Sequence, residues 1–319
     1  MPVNLDKPQQ WKADVALSVD MYNAWFMEFA PHAFRTTRFQ TTKDVEAALH
    51  ATANLTNIQA ALRTHPGILP TLRMSTCPPL AVDRLIGLAG VWPSVVRRME
   101  DEQKLPVRLG VAEVDLELDK IGTIIQKMAD PDNFVWLGRP QAATDAEVHR
   151  AATIVADRLC GAVANPIIRN AQEKRQLAEI KTWLEARGYE QLPAGGGTKF
   201  NAMQPGTFAF RMNVPVKLQG DAQSINIPVD AVIMPKSYKA NDLPLFFEAK
   251  SAGDFTNTNK RRKEEARKMA QLRSNYGAAI RFNLFLCGYF DSGYLGYGAS
   301  EGIDWVWEHR IDDLALFGI

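Results

Sequence analysis

The chain has 319 residues, 46% hydrophobic and 23% charged, with a formal net charge of +1. That is room for one large domain or two smaller ones, and a balanced charge excludes attraction to nucleic acid by bulk electrostatics, so any such surface must come from local clustering. Its three cysteines, Cys77, Cys160 and Cys287, are too sparse for a disulfide framework or a zinc pattern and suit a reducing compartment.

The N-terminus, MPVNLDKPQQWK, has no apolar signal-sequence core and no run approaches membrane length. A soluble cytoplasmic protein without a membrane partner is therefore expected. From Trp11 to about Asn165 the signals are helical. Thr42 is placed to cap a helix starting at Lys43, and Pro66, Pro70, Pro78 and Pro79 cut the chain into short pieces. LAVDRLIGLAGVWPSVVRRME reads as two helices with a break near Pro93. VDLELDKIGTIIQKMA is a further helix, and Thr144 with Glu147 forms a capping box before AEVHRAATIVADRL. His32, His50, His65 and His149 show no metal-ligand spacing. Trp11, Trp25 and Trp92 read as core residues. Nothing in this half carries recognisable chemistry, and a role as a dimer interface or a DNA-facing arm are both open to it.

Asn165-Pro166 reads as a break, with the proline in the first turn of the next helix. The predicted organisation is thus a helical region over 1–164 and a second region over 165–319. In the helix PIIRNAQEKRQLAEIKTWLEARGY, Leu177, Ile180 and Leu184 form the apolar stripe, and one more turn back lies Glu173. A carboxylate there either pairs with Arg169 at the helix edge or faces a cation in a site. PAGGGTKF reads as a loop, TFAFRMNVPVKL as a strand and QGDAQ as a turn.

The chemistry concentrates in INIPVDAVIMPKSYKANDLPLFFEAK, Ile225 to Lys250, which reads as two strands joined by a polar loop. Alternation places Ile225, Ile227, Val229, Ala231 and Ile233 on one face and Asp230 on the other. Glu248 and Lys250, two apart, share a side of the second strand. If the strands pair, two carboxylates and an ammonium meet, a set suited to holding Mg²⁺ and hydrolysing a phosphodiester. An Asp followed later by Glu-x-Lys also arises as a surface ion pair on an edge strand. Next comes SAGDFTNTNKRRKEEARKMAQLRSNYG. It reads as a turn and a helix with Met269, Leu272 and Tyr276 on one face and Lys260, Lys263 and Arg267 on another. Arg261, Arg262 and Lys268 thicken the charge. A basic helix directly after such a site suits contact with DNA phosphates. FNLFLCGYF, Phe282 to Phe290, reads as a buried strand reached by a parallel crossover, and Ile303, Trp305 and Trp307 alternate like another strand.

Helix with Glu173, strand, hairpin with Asp and Glu-x-Lys, basic helix, buried strand: this order resembles the PD-(D/E)XK nuclease core. The words RNAQEKRQLAEIKTWLEARGY, INIPVDAVIMPK, FFEAKSAGDFTNTNKRRKEEARKM and FLCGYFDSGYLGYGASEGIDWVWEHRIDDL resemble the XamI family of type II restriction endonucleases, from about Asn165 to the end. The fold implied is α/β, a mixed central sheet flanked by helices, with a mostly helical N-terminal region. The resemblance implies Asp230 and Glu248 as metal-binding carboxylates with the Ala249 carbonyl as a further ligand. It implies Lys250 as the catalytic lysine and Glu173 as an accessory acid. The family signature sets proline directly before the aspartate, whereas here Pro228 stands one residue earlier. The expected activity is site-specific cleavage of double-stranded DNA with Mg²⁺, or Mn²⁺ in its place. The basic helix, with Lys260, Arg261, Lys263 and Arg267, would grip phosphates, and Asn257, Thr258 and Asn259 are candidates by type and place for reading bases. Cutting a palindrome implies a homodimer, and restriction implies a cognate methyltransferase as genetic partner. The competing expectations are a repair or recombination nuclease on the same core, or a DNA-binding protein without catalysis.

Overall fold

The computed structural model describes residues 2–193, 197–217, 224–239, 242–256 and 258–319, and of 162, 163, 165 and 258–261 the backbone alone. The turn QGDAQ and parts of the loops PAGGGTKF and PKSYKAND lie outside the described residues. The chain forms two compact units, Met1–Phe29 with Arg169–Ile319, and Ala30–Ile168. Two long helices, α1 (Pro8–Ala51) and, further along, one over Asp145–Glu185, contribute residues to both.

The helical unit adds α2 (Ile58–Thr64), α3 (Leu69–Met74), α4 (Val82–Ala89), α5 (Pro93–Glu102) and α6 (Val111–Met128), and the helix Asp145–Glu185 is α7. Its core is aliphatic, centred on Leu49, Leu62, Leu72, Val96, Leu118, Ile121 and Val155. Buried charges inside it are paired, as their desolvation demands. Arg73 Nε and Nη2 meet Glu100 at 2.6 and 2.7 Å. Thr144 and Glu147 form the expected capping box, with Thr144 N–H donating to Glu147 at 2.9 Å and Glu147 N–H to Thr144 at 3.3 Å. Thr42, by contrast, caps nothing. It lies inside α1, and its hydroxyl donates to the Arg38 carbonyl, the internal bond a mid-helix threonine makes. The break expected at Asn165-Pro166 is a bend inside α7, which carries Pro166 within it. Trp92 is 49% exposed rather than core, while Trp11 is buried. No single helix among the described residues is long and apolar enough to cross a membrane.

The other unit holds a six-stranded sheet in the order β1 to β6: β1 (Glu190–Gln191), β2 (Thr207–Lys217), β3 (Ser224–Met234), β4 (Leu245–Ala252), β5 (Arg281–Gly288) and β6 (Asp304–Trp307). β2, β3 and β4 pair antiparallel, while β1 joins β2 and β4, β5 and β6 join one another in parallel. The helix after β4, α8 (Thr258–Tyr276), makes the expected crossover to β5, and α9 (Ser292–Ser300) follows β5. Asp291 caps α9 by accepting the Tyr294 N–H at 2.7 Å. One face of the sheet packs with α8 and the start of α1 through Trp11, Val229, Phe246, Phe282 and Leu272. The opposite face packs with α7 through Leu177, Ile180, Leu184, Phe208, Phe247 and Phe285.

The strict alternation expected along β3 does not hold. Ile227 and Val229 belong to the α8-side core, but Ala231 and Ile233 to the α7-side core. β2 changes over at the matching place, with Phe208 and Phe210 on the α7 side and Met212, Val214 and Val216 on the other. The pairs Phe210↔Ala231 and Met212↔Val229 bracket Arg211 and Asp230, and Arg211 has φ +53°. A left-handed residue breaks the pleat and exchanges the two faces. Asp230 therefore sits at the changeover, not on a regular face.

The first 29 residues, read from sequence with the helical region, fold with the sheet. The buried Asp304 carboxylate accepts the N–H groups of Val3, Asn4 and Leu5 at 2.5, 2.9 and 3.1 Å. Arg310 ties Asp14 at 2.9 Å to Asn4 at 2.6 Å, and Trp11 stacks edge-on against Trp305 with centroids 5.4 Å apart. Removing the shared acceptor strands several donors at once. Asp304→Ala is expected to lose roughly 3 kcal/mol or more of stability in urea unfolding, whereas Asp157→Ala, which breaks an exposed pair with Arg38, should change it by less than about 1 kcal/mol.

Candidate active site

β3 and β4 part company where the acidic residues lie. Their ladder runs through Ile233↔Leu245, Val232↔Phe246 and Ala231↔Phe247 and ends there, although β4 stays paired with β5 as far as Ala252. The next rung would set residue 230 against 248. Instead, Asp230 Oδ2 accepts the Ala249 N–H at 2.9 Å, satisfying a donor that the diverging strand no longer serves. The fork thus gathers the Asp230 carboxylate, the Glu248 and Lys250 side chains and the backbone of Ala249.

Glu248 is 5% exposed. Its Oε1 accepts from Lys250 Nζ at 2.9 Å and from Lys268 Nζ at 2.6 Å. Its Oε2 is buried without a hydrogen-bond partner among the described residues, a costly state for a carboxylate oxygen unless a cation meets it. Burial, and next the Glu248 charge, push the Asp230 carboxyl up to about 6, against the opposing pull of Lys250 and the Ala249 N–H; Glu173 adds a smaller upward push. Burial alone would lower the Lys250 ammonium, but the charges of Glu248, Glu265 and Asp230 outweigh it and hold the group above its ordinary range. Lys250 therefore carries positive charge at neutral pH.

Glu173 stands at the edge of this arrangement. Its carboxylate pairs with Arg211 at 2.8 Å rather than with Arg169, and stays a third exposed. The residues that α7 turns inward on this stretch are Gln172 and Gln176, both buried. Gln176 Nε2 lies 3.4 Å from the carbonyls of Lys250 and Phe285, seating α7 across β4 and β5. On α8, Lys263 and Arg267 are exposed as expected, while Arg262 stacks over the Tyr297 ring at 5.0 Å. Asn257 lies outside the described residues, as do the side chains of Thr258, Asn259, Lys260 and Arg261.

Two residues of α8 reach the site without having been singled out for it. Lys268 joins Glu248, and Glu265 is buried with the Tyr294 hydroxyl donating to its carboxylate. The signal was present in the spacing: Glu265, Met269, Leu272 and Tyr276 form one helical stripe, and Lys268 flanks it. No cluster of three or more His, Cys, Asp and Glu side chains forms among the described residues. A cation at the fork would rest on two carboxylates and a backbone oxygen, a hard donor set. A groove of about 690 Å³ beside β2 is lined by Lys199, Phe200, Arg211 and Asn213 but by none of Asp230, Glu248 and Lys250, so cavity shape alone does not single out the fork.

The sequence pattern of the family described as XamI restriction endonuclease matches residues 53–307. The type II restriction enzyme SalI of Streptomyces albus G is 53% identical over 317 residues, 99% of each chain. Among solved structures, protein VC1899 of Vibrio cholerae aligns with 80% of this chain and 55% of its own at 14% identity and a TM-score of 0.29, too distant a likeness to carry an argument.

The raised Asp230 carboxyl has a consequence for stability. The folded chain holds that proton up to about pH 6, the unfolded chain only to about 3.8. The contribution to stability is complete below the lower value and lost as pH rises through the upper one. Asp230→Asn never carries the charge. In chelator, its melting temperature should gain on that of the parent protein between about pH 4 and pH 7. Parallel pH profiles would show that the carboxyl bears no such burden.

Proposed function

This chain belongs to the XamI restriction endonuclease family, and we propose that its sheet unit is a PD-(D/E)XK core that hydrolyses phosphodiester bonds of double-stranded DNA at the β3–β4 fork. It is a type II restriction endonuclease. The reading rests above all on the fork, where Asp230 takes the Ala249 N–H and feels the Glu248 charge, while the buried Oε2 of Glu248 has no hydrogen-bond partner among the described residues and Lys250 holds its Oε1. Those residues fit a divalent cation: two carboxylates, with Asp230 harder to ionise beside the Glu248 charge, and a buried oxygen that a positive partner would satisfy.

We assign Asp230, Glu248 and the Ala249 carbonyl as the oxygens that hold Mg²⁺, or Mn²⁺ in its place. When bound, such an ion supplies Lewis acidity, easing ionisation of water and offsetting charge on the phosphate. Lys250, kept as an ammonium, orients the attacking water by donating to it and adds positive charge beside the scissile phosphate. Water attacks phosphorus in line as the P–O3′ bond breaks; its proton passes to solvent and the leaving 3′ oxygen takes one up, giving a 5′-phosphate and a 3′-hydroxyl end. Glu173 acts from the rim as an accessory acid, its charge felt at Asp230 and its position set by Arg211. Lys263 and Arg267, with Lys260 and Arg261, bind backbone phosphates, and Asn257, Thr258 and Asn259 are assigned to base edges. Symmetric cutting of a palindrome calls for a homodimer, and protection of the host's own sites for a cognate methyltransferase; both fit a cytoplasmic enzyme.

Asp230→Ala and Lys250→Ala should each lower cleavage of a long defined DNA by at least about a hundredfold, with gel-shift binding kept; sharp, sequence-defined fragments are expected from the parent enzyme, and continued cutting by either variant would move the chemistry elsewhere. Replacing Lys263 and Arg267 together should reduce the slope of log affinity against log salt by about 0.9 per lost contact. An unchanged slope would put the phosphates on another surface.

A further inference from the structure

We propose that Lys268 is the internal counter-ion of the metal site: in the cation-free enzyme its ammonium occupies Glu248 Oε1, holds the carboxylate aimed so that Oε2 stays bare, and competes electrostatically with the incoming divalent ion. The inference rests on the reading of the fork as a metal site and adds a residue that the Asp and Glu-x-Lys pattern does not contain.

The geometry is specific. Lys268 Nζ lies 2.6 Å from Glu248 Oε1, closer than Lys250 Nζ at 2.9 Å, and 3.4 Å from the Pro228 carbonyl two residues before Asp230. It therefore touches both arms of the fork. The two ammoniums fall on the same oxygen, and the other oxygen has no partner among the described residues. A carboxylate so loaded is fixed about its terminal torsion, with one oxygen committed to lysines and one left for a cation. The Lys268 side chain is 25% exposed and that of Glu248 6%, so water screens the pair little on the acid's side. Lys268 stands one turn beyond Glu265 on α8, and Glu265 is itself buried and hydrogen-bonded to Tyr294. The Glu-x-Lys of β4 is thus matched by a Glu-x-x-Lys of α8. Lys268 is a positioning residue, acting through Glu248.

Removing a positive charge next to a cation site must strengthen cation binding unless the loss of aim outweighs it. Mn²⁺ binding to the DNA-free protein, read by water-proton relaxation, separates the possibilities. Lys268→Met and Lys268→Gln should each bind Mn²⁺ about tenfold more tightly or better, while Lys268→Arg, which keeps the charge, should stay within about threefold of the parent protein. Glu248→Gln should weaken binding sharply. Met and Gln variants with parental circular dichroism and equal or weaker Mn²⁺ affinity would overturn the counter-ion role while leaving the metal site standing. If Glu248→Gln binds Mn²⁺ as well as the parent does, or the parent binds none, the metal reading of the fork fails and this inference with it.

Discussion

One hydrogen bond governs the layout of the site: the Asp230 carboxylate takes the Ala249 N–H where the β3–β4 ladder stops. A backbone donor inside a sheet needs an acceptor. Here a side chain serves in place of a carbonyl, which lets the strands diverge without stranding the N–H. Glu248 and Lys250 project beside that opening from the α8-side face of β4, the face that Phe246 and Ala252 share. The aspartate thus both opens the fork and supplies one of its charges.

That arrangement is costly in the absence of a cation. Burial and the Glu248 charge raise the free energy of the ionised Asp230 carboxylate, and its upward displacement is the electrostatic signature. Lys250 and Lys268 offset part of it by loading one oxygen of Glu248. The other oxygen, buried without a hydrogen-bond partner among the described residues, is a local polar deficit that a cation would relieve. The surrounding sheet can bear it because β4 and β5 are packed on both faces, by Phe246, Phe282 and Leu284 on one and by Phe247 and Phe285 on the other.

What the sequence disclosed followed the range of the interaction. The Glu-x-Lys pair is local, and a period of two puts both side chains on one edge of β4. The capping box at Thr144 and the parallel crossover through α8 are legible for the same reason. The changeover at Arg211 and Asp230 is not, because an arginine with φ +53° has no sign in the residue itself; only its cross-strand partner gives it meaning. The N-terminal segment reads with the helical region because its pattern is helical from Trp11 on, and α1 does run from Pro8. Its attachment to the sheet comes from Asp304 and Arg310, some three hundred positions away. Glu173 shows the middle case. The stripe through Leu177, Ile180 and Leu184 was right, but helical geometry left Gln172 and Gln176 facing in and Glu173 at the rim with Arg211.

The basic run after Lys250 looked like a single device and is two. Successive residues on a helix point about 100° apart, so Arg267 can remain in solvent while Lys268 turns into the fork. Lys263 and Arg267 keep the outer face cationic, and Met269 and Leu272 fix the inner one to the sheet. A phosphate bound, as proposed, at the outer cations and the carboxylate held by Lys268 would then be referenced to one helix. Net charge carries none of this: at +1 for the whole chain, the functional charge resides in how a few like-signed side chains are divided between the two faces of α8.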